Sequence, residues 1–121
     1  MKEIALVVAL ALTGCSYGYR ASGHFAGSSE TLTGGVQHSL AGGGQFTLRG
    51  SGGLLCQGQA EPPTTPAREG NCLGEAGSGT LRCNDGRSFA IVWQAIGCRS
   101  FSGSGQDGEG RRLEFTVTRP R

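Results

Sequence analysis

Glycine is spread so evenly through this chain that a long helix has nowhere to form. There are 23 glycines in 121 residues, against an average share of about 7%. Each one inside a helix costs about 1 kcal/mol relative to alanine. After residue 15, Ser88–Ile96 lies in the longest stretch free of Gly and Pro, and its Ile, Val and Trp favour strand. The remaining option is short strands broken by glycine, and the apolar pattern fits it. In Gln45–Arg49, Phe46 and Leu48 share one face. In Thr80–Asn84, Leu81 and Cys83 do the same. Arg87–Trp93 puts Phe89, Ile91 and Trp93 together. Arg112–Thr118 alternates most cleanly, with Leu113, Phe115 and Val117 opposite Arg112, Glu114, Thr116 and Thr118. A period of two with β-branched and aromatic residues is the strand signal. Asn84-Asp85-Gly86 and Asp107-Gly108 are hairpin-turn chemistry, because Asp-Gly supplies the positive φ of tight turns.

A short internal repeat runs through this pattern. Gly50-Ser51-Gly52-Gly53-Leu54-Leu55-Cys56 matches Gly77-Ser78-Gly79-Thr80-Leu81-Arg82-Cys83 at an offset of 27, and Gly103-Ser104-Gly105 follows 26 residues later. The physical reading is repeated hairpins, each entered through a glycine-rich turn. Ala60–Asn71 carries Pro62, Pro63 and Pro66 and reads as a loop, since proline cannot donate to a strand ladder.

The first residues set the compartment. Ile4–Leu12 is a run of nine apolar residues. A bilayer-spanning helix needs about 20, whereas a signal-peptide core needs ~7–15. Leu12-Thr13-Gly14-Cys15 resembles the bacterial lipobox: an aliphatic residue, two small residues, then cysteine. The resemblance implies that residues 1–14 are a signal peptide removed before Cys15. The Cys15 thiol then carries diacylglycerol, and the new amino terminus is acylated. Several acyl chains together anchor firmly, where one alone holds marginally. Ser16 in place of aspartate implies, by the enteric-type sorting rule, the periplasmic face of the outer membrane. Residues 15–29 are then expected to be the lipid anchor and a tether, and 30–121 the domain. The tether's aromatics, Tyr17, Tyr19 and Phe25, have the alternative of sitting at the membrane interface or packing on the domain.

A small glycine-rich domain of this kind needs staples. Cys56, Cys72, Cys83 and Cys98 remain beyond the lipid site, and an even cysteine count in an exported chain reads as disulfides. Each bridge contributes typically ~2–4 kcal/mol. Spacings of 16, 11 and 15, with no Cys-x-x-Cys pair, argue against zinc. Four cysteines allow three pairings. The sequential pairing, Cys56–Cys72 and Cys83–Cys98, closes two short loops. Cys56 and Cys83, however, hold equivalent places in the repeat, and neighbouring strands would bring such places together.

The chain is similar to small proteobacterial lipoproteins of uncharacterised function. These carry a Ser-Glu-Thr-x-Thr-Gly start, Gly-x-Gly strands, a Cys-Asp/Asn-Asp-Gly-Arg segment and a Gly-x-Gly-x-Asp-x-x-Gly close. The matching residues are Ser29–Gly34, Cys83–Arg87 and Gly103–Gly110, so the likeness spans roughly residues 29–118. The Pro-rich insertion, Cys72 and Cys98 depart from it. The resemblance implies an all-β domain on an anchor and brings no activity with it. It also implies that Cys56 and Cys83 are the shared pair and that Cys72 and Cys98 are an added one. Together with the repeat, this favours Cys56–Cys83 and Cys72–Cys98. The expected fold is a small antiparallel β-barrel or compact sandwich, disulfide-stapled.

Candidate sites are few. The histidines are His24 and His38, both read as surface residues. No Gly-x-Ser-x-Gly elbow supports a triad. Gly103-Ser104-Gly105-Gln106-Asp107 resembles a single copy of a calcium repeat that needs stacked copies, so a hairpin turn is the better reading. Asp85 and Asp107 sit beside glycine, where turn geometry explains them. Trp93 is the single tryptophan, read as core with ligand stacking as the alternative. No metal or cofactor is expected. The net charge of +2 is too small to argue for nucleic acid, and export argues against it independently. The expected function is a non-enzymatic envelope protein that binds or supports another envelope component. One variant is an inhibitor of a wall-degrading enzyme, since some lysozyme inhibitors are lipid-anchored small barrels with a similar Cys-Asp-Gly turn. The rival is a small hydrolase using His24 or His38.

Overall fold

The structure is a computed structural model that describes residues 18–38, 43–68 and 72–119. The expected signal peptide, Cys15 and Ser16 lie outside the described residues. Eight strands follow one another: β1 (Gly18–Phe25), β2 (Leu32–His38), β3 (Gly44–Arg49), β4 (Leu55–Ala60), β5 (Ala76–Cys83), β6 (Ser88–Gly97), β7 (Ser100–Gln106) and β8 (Arg112–Thr118). Each pairs antiparallel with the next, and β8 returns to pair with β1, closing a barrel. The all-β expectation holds, and of barrel and sandwich it is the barrel. Closure matters for strands this short, because it leaves no unpaired edge.

Alternation sorts the side chains as the sequence pattern demands. Phe46, Leu48, Leu81, Phe89, Ile91 and Leu113 are buried inside, while Arg112, Glu114, Thr116 and Thr118 face solvent. An eight-stranded barrel is only just wide enough for its inward side chains to fill it. The register shows how the space is shared. One row around the wall reads Gly77, Trp93, Gly103, Phe115, Gly23 across β5, β6, β7, β8 and β1. The next reads Gly79, Ile91, Gly105, Leu113, Phe25 across the same five strands. Over the first four strands of each row a glycine stands beside a large residue. A Cβ built on Gly77 would lie 2.5 Å from Cζ2 of Trp93, and one on Gly103 would enter the Phe115 ring. Gly77, Gly103 and Gly105 are vacated side-chain volume, whereas Gly79 and Gly23 abut the backbone of the neighbouring strand.

Three expectations change. Residues 18–25, expected in the tether, form β1, the strand that closes the barrel. Ala21 and Gly23 are buried there, and Tyr19 and Phe25 pack against the core. The alternation of Tyr19, Ala21, Gly23 and Phe25 is a strand pattern weakened by its small residues. The repeat is not a structural repeat. Ser51–Gly53 is a short 3-10 turn, but Gly77–Gly79 and Gly103–Gly105 lie inside β5 and β7. Those stretches resemble turns in sequence because their glycines answer a packing demand. In the 107–111 turn the positive φ falls on Gly110 rather than Gly108.

The disulfides are Cys56–Cys83 and Cys72–Cys98. Cys56 and Cys83 are direct register partners on β4 and β5, buried, with Cα atoms 3.9 Å apart. They meet because one copy of the repeated segment leads into a strand and the other runs down its antiparallel neighbour. Cys72–Cys98, Cα atoms 4.8 Å apart, ties the Pro-rich loop to the β6–β7 connection.

The shared interior makes a direct prediction. Gly103→Ala places its methyl against Phe115 and the Val92 carbonyl, whereas Gly108 faces open space at a φ that is not positive. Overpacking typically costs about 1–3 kcal/mol. Thermal melts are therefore expected to show a clear Tm drop for Gly103→Ala and little change for Gly108→Ala. Equal melting of the two variants would contradict the packing scheme.

Candidate functional site

The two ends of the barrel differ in chemistry. One end gathers the turns at 26–31, 50–54, 84–87 and 107–111. It is closed by hydrogen bonds and rings. The Asp85 carboxylate accepts from the Arg87 backbone N–H at 3.1 Å and from its Nε at 2.8 Å. The Arg87 guanidinium in turn lies 4.0 Å over the Phe25 ring, which stacks on Phe89. Asp107 accepts from the backbone N–H groups of Glu109 (3.0 Å) and Arg111 (2.8 Å) and from Arg111 Nε (2.6 Å). Glu30 reaches across 21 residues to accept from Ser51 N–H at 2.7 Å. The Asn84 amide donates to the Gly53 carbonyl and accepts from Leu55 N–H. Asp85 and Asp107 are thus turn-holding carboxylates, as their neighbouring glycines suggest.

His24 does not assemble a catalytic group among the described residues. His24 lies on the outer wall, its Nε2 3.7 Å from Glu114 Oε2, and Arg112 Nε is 3.4 Å from the other oxygen. Across the strands Glu114 stands between His24 and Ser104. A serine nucleophile needs the imidazole beside it and the acid behind; here the acid occupies the middle place. The side chain of His38 lies outside the described residues. No three His, Cys, Asp or Glu side chains gather as metal ligands among the described residues. A shallow depression of about 900 Å³ crosses the same outer wall, over Ser102, Ser104 and Val92. It is larger but less enclosed than the cavity inside the barrel.

That cavity opens at the other end, where β1 begins, β2, β4 and β6 end, and β3, β5 and β7 begin. It has a volume of about 490 Å³, within the range of about 300–1,000 Å³ of ligand pockets. Its walls are Tyr19, Phe46, Trp93, Phe101 and Phe115, with aliphatic Val36, Ile91 and Val117 between them. The space exists because Gly44, Ala60 and Gly79 succeed one another at one register level on β3, β4 and β5. No inward side chain larger than a methyl rises from that stretch of wall. Edge-to-face ring pairs hold the opposite side: Trp93 on Phe101 at 5.5 Å, Tyr19 on Phe101 at 5.8 Å and Phe46 on Phe115 at 4.9 Å. Trp93 packs over Gly77, as the core reading expects, and also lines the cavity. Its Nε1–H is enclosed without an acceptor among the described residues.

The rim comes from the insertion. Pro63, Glu75 and the Cys98 half of the outer disulfide line the opening. The loop is pinned along β5 by backbone bonds from Glu61 to Ser78 and between Thr65 and Ala76. Among the described residues Glu75 is the one charged residue of the lining. Sequence reasoning does not single out Tyr19, Phe101 or Glu75 as site residues. Only the period-two spacing of Tyr19 to Phe25 points to the first of them.

No family model matches this chain, and no curated protein matches it. Among solved structures it resembles one described as a de novo design of a fluorescence-activating beta barrel. The TM-score is 0.58 at 12% identity, covering 86% of this chain and 92% of that one. At that identity the likeness concerns the fold. Inward apolar and outward polar residues are the reverse of a membrane-spanning barrel, whose apolar band faces lipid.

The closed end carries a pH signature. The Arg87 side chain, as a hydrogen-bond donor to Asp85, holds that carboxyl below its ordinary range despite some desolvation. The Ser51 backbone N–H does the same for Glu30. Carboxyls depressed on folding contribute stability that is full above their unfolded pKa, about 4, and is lost as pH falls through the folded value. Tm is therefore expected to fall on acidification below about pH 4. Asp85→Asn is expected to melt lower at neutral pH and to show a shallower acid decline. An identical acid slope in that variant would remove Asp85 from the account.

Proposed function

We propose that this chain is a lipid-anchored module of the bacterial envelope that binds, without enzymatic chemistry, an apolar envelope component at the mouth of its barrel. The observation that carries the reading is the position of the cavity. It opens at the end where β1 starts, at Gly18, only three residues after Cys15. At about 3.3 Å per extended residue an acylated Cys15 reaches roughly 10 Å from the barrel. A tether that short holds the mouth, and not the closed end, against the membrane surface. The charges support the same orientation. Arg20, Arg99 and Arg119 belong to the mouth end, with Arg119 N–H bonded to the Arg99 carbonyl. Basic residues beside an anionic surface contribute about 1 kcal/mol each. Ser16 supports the periplasmic face of the outer membrane as the location.

Intact-mass analysis of membrane-extracted protein tests the anchor. The expected species begins at Cys15 and carries diacylglyceryl and amide-linked acyl groups. Cys15→Ser is expected to yield no acylated form. A water-soluble mature protein beginning at another residue would overturn the reading.

A further inference from the structure

We infer that the mouth cavity takes the acyl chain of a single-chain membrane lipid whose head group carries no net negative charge. That the bilayer is the source rests on the anchored reading above; the ligand chemistry rests on the cavity.

The walls fix the apolar part. Polar ligands and flat heteroaromatic ones need a few convergent hydrogen-bonding groups to be held in place. This lining offers five aromatic residues, three aliphatic ones and, from Pro63 and the glycine and alanine positions, more apolar surface. The buried indole Nε1 of Trp93 would lie 3.0 Å from a Cβ built on Gly77, which places it against the β5 wall. An acyl chain asks for no polar partner along its length. It also meets the mouth directly when the mouth rests on a bilayer. The rim fixes the head. Glu75 lines the opening, and its backbone carbonyl accepts from Ala95 N–H at 2.8 Å, which fixes the residue's position beside β6. Arg20, Arg99 and Arg119 belong to the same end but are not part of the lining, so the charge nearest a seated tail is that of Glu75, whose carboxylate repels an anionic head and favours a choline or amine group. A free fatty acid is therefore a poor ligand, and a lysophospholipid with a zwitterionic head a good one.

The chain contains its own reporter, since the single tryptophan lines the cavity. The lipidated protein is reconstituted in phosphatidylcholine vesicles containing a lysophosphatidylcholine brominated along its acyl chain, and Trp93 fluorescence is followed. Saturable quenching is expected. Ala60→Phe, which fills the open stretch of wall, is expected to lose most of it while still floating with the vesicles. Val36→Phe serves the same purpose from β2, and circular dichroism verifies the barrel in both. Quenching that persists in folded, membrane-bound Ala60→Phe and Val36→Phe proteins reports mere proximity to the bilayer and overturns the inference. Absence of quenching in the parent protein overturns it as well. A brominated fatty acid is expected to quench only weakly, and Glu75→Gln to narrow the gap between the two probes. Equal quenching by both in the parent would overturn the head-group assignment. If the protein does not float with vesicles, the anchor reading fails on its own. The brominated lysolipid is then added to protein in solution, where quenching in the parent and its loss in Ala60→Phe still decide the cavity.

Discussion

Everything in this molecule depends on how eight short strands share one narrow interior. A closed barrel of this size cannot hold a large side chain from every strand at every level. Trp93 and Phe115 fit at one level because Gly77 and Gly103 stand beside them; Ile91 and Leu113 fit at the next because Gly105 stands between them. Elsewhere the glycines serve backbone approach instead. A Cβ on Gly34 would overlap the Thr47 carbonyl and one on Gly58 the Thr80 carbonyl, so these positions let adjacent strands close up where the sheet coils into a barrel. The high glycine content is therefore a condition of closure, although each residue adds backbone entropy to be lost on folding.

That entropy explains the division of labour between the two disulfides. They close loops of nearly equal length, with separations of 27 and 26 residues, so the chain-entropy model assigns each about 3.5 kcal/mol. Their places differ. Cys56–Cys83 lies in the packed interior across two paired strands and reinforces a contact that the core already favours. Cys72–Cys98 lies at the mouth, where the wall opposite carries only Gly44, Ala60 and Gly79. There it holds a proline-containing loop that has few core contacts of its own.

The large-residue half of the barrel is legible in the sequence and the small-residue half is hidden. β8 has the bounds its alternation implies, and β3 and β6 are visible because Phe46, Leu48, Phe89 and Ile91 mark their inner faces. β7 escapes notice: its inner face is Phe101, Gly103 and Gly105, and two glycines in alternation look like a turn. β1 escapes for the same reason, with Ala21 and Gly23 between its aromatics, and so looks like a tether. Hydrophobic periodicity detects side chains, whereas half of this interior is specified by their absence. The cavity is illegible for a further reason. It depends on Gly44, Ala60 and Gly79 falling at one register level, and register across three strands is a property of the closed sheet. The disulfide pairing follows from an apparent repeat whose two copies have different structures.

The contrast between the ends follows from where small and large residues fall along the strands. At the closed end the inward positions are Phe25, Leu32, Leu48, Phe89 and Leu113, and the turns beyond them are locked by Asp85, Asp107, Glu30 and Asn84. At the open end three adjacent strands withdraw their side chains, and rings from the other side face an unfilled space of about 490 Å³. A fold selected only for stability would fill such a space, because burying a further Leu or Phe side chain contributes roughly 1.5–3 kcal/mol. Gly44 and Ala60 lie at strand ends, where a larger residue meets no turn geometry that forbids it. The rigid end thus gives the barrel its shape, and the vacant end retains apolar surface that folding alone leaves unburied. Retained apolar surface of this kind, beside a loop held by a disulfide, is the feature on which the proposed binding role rests.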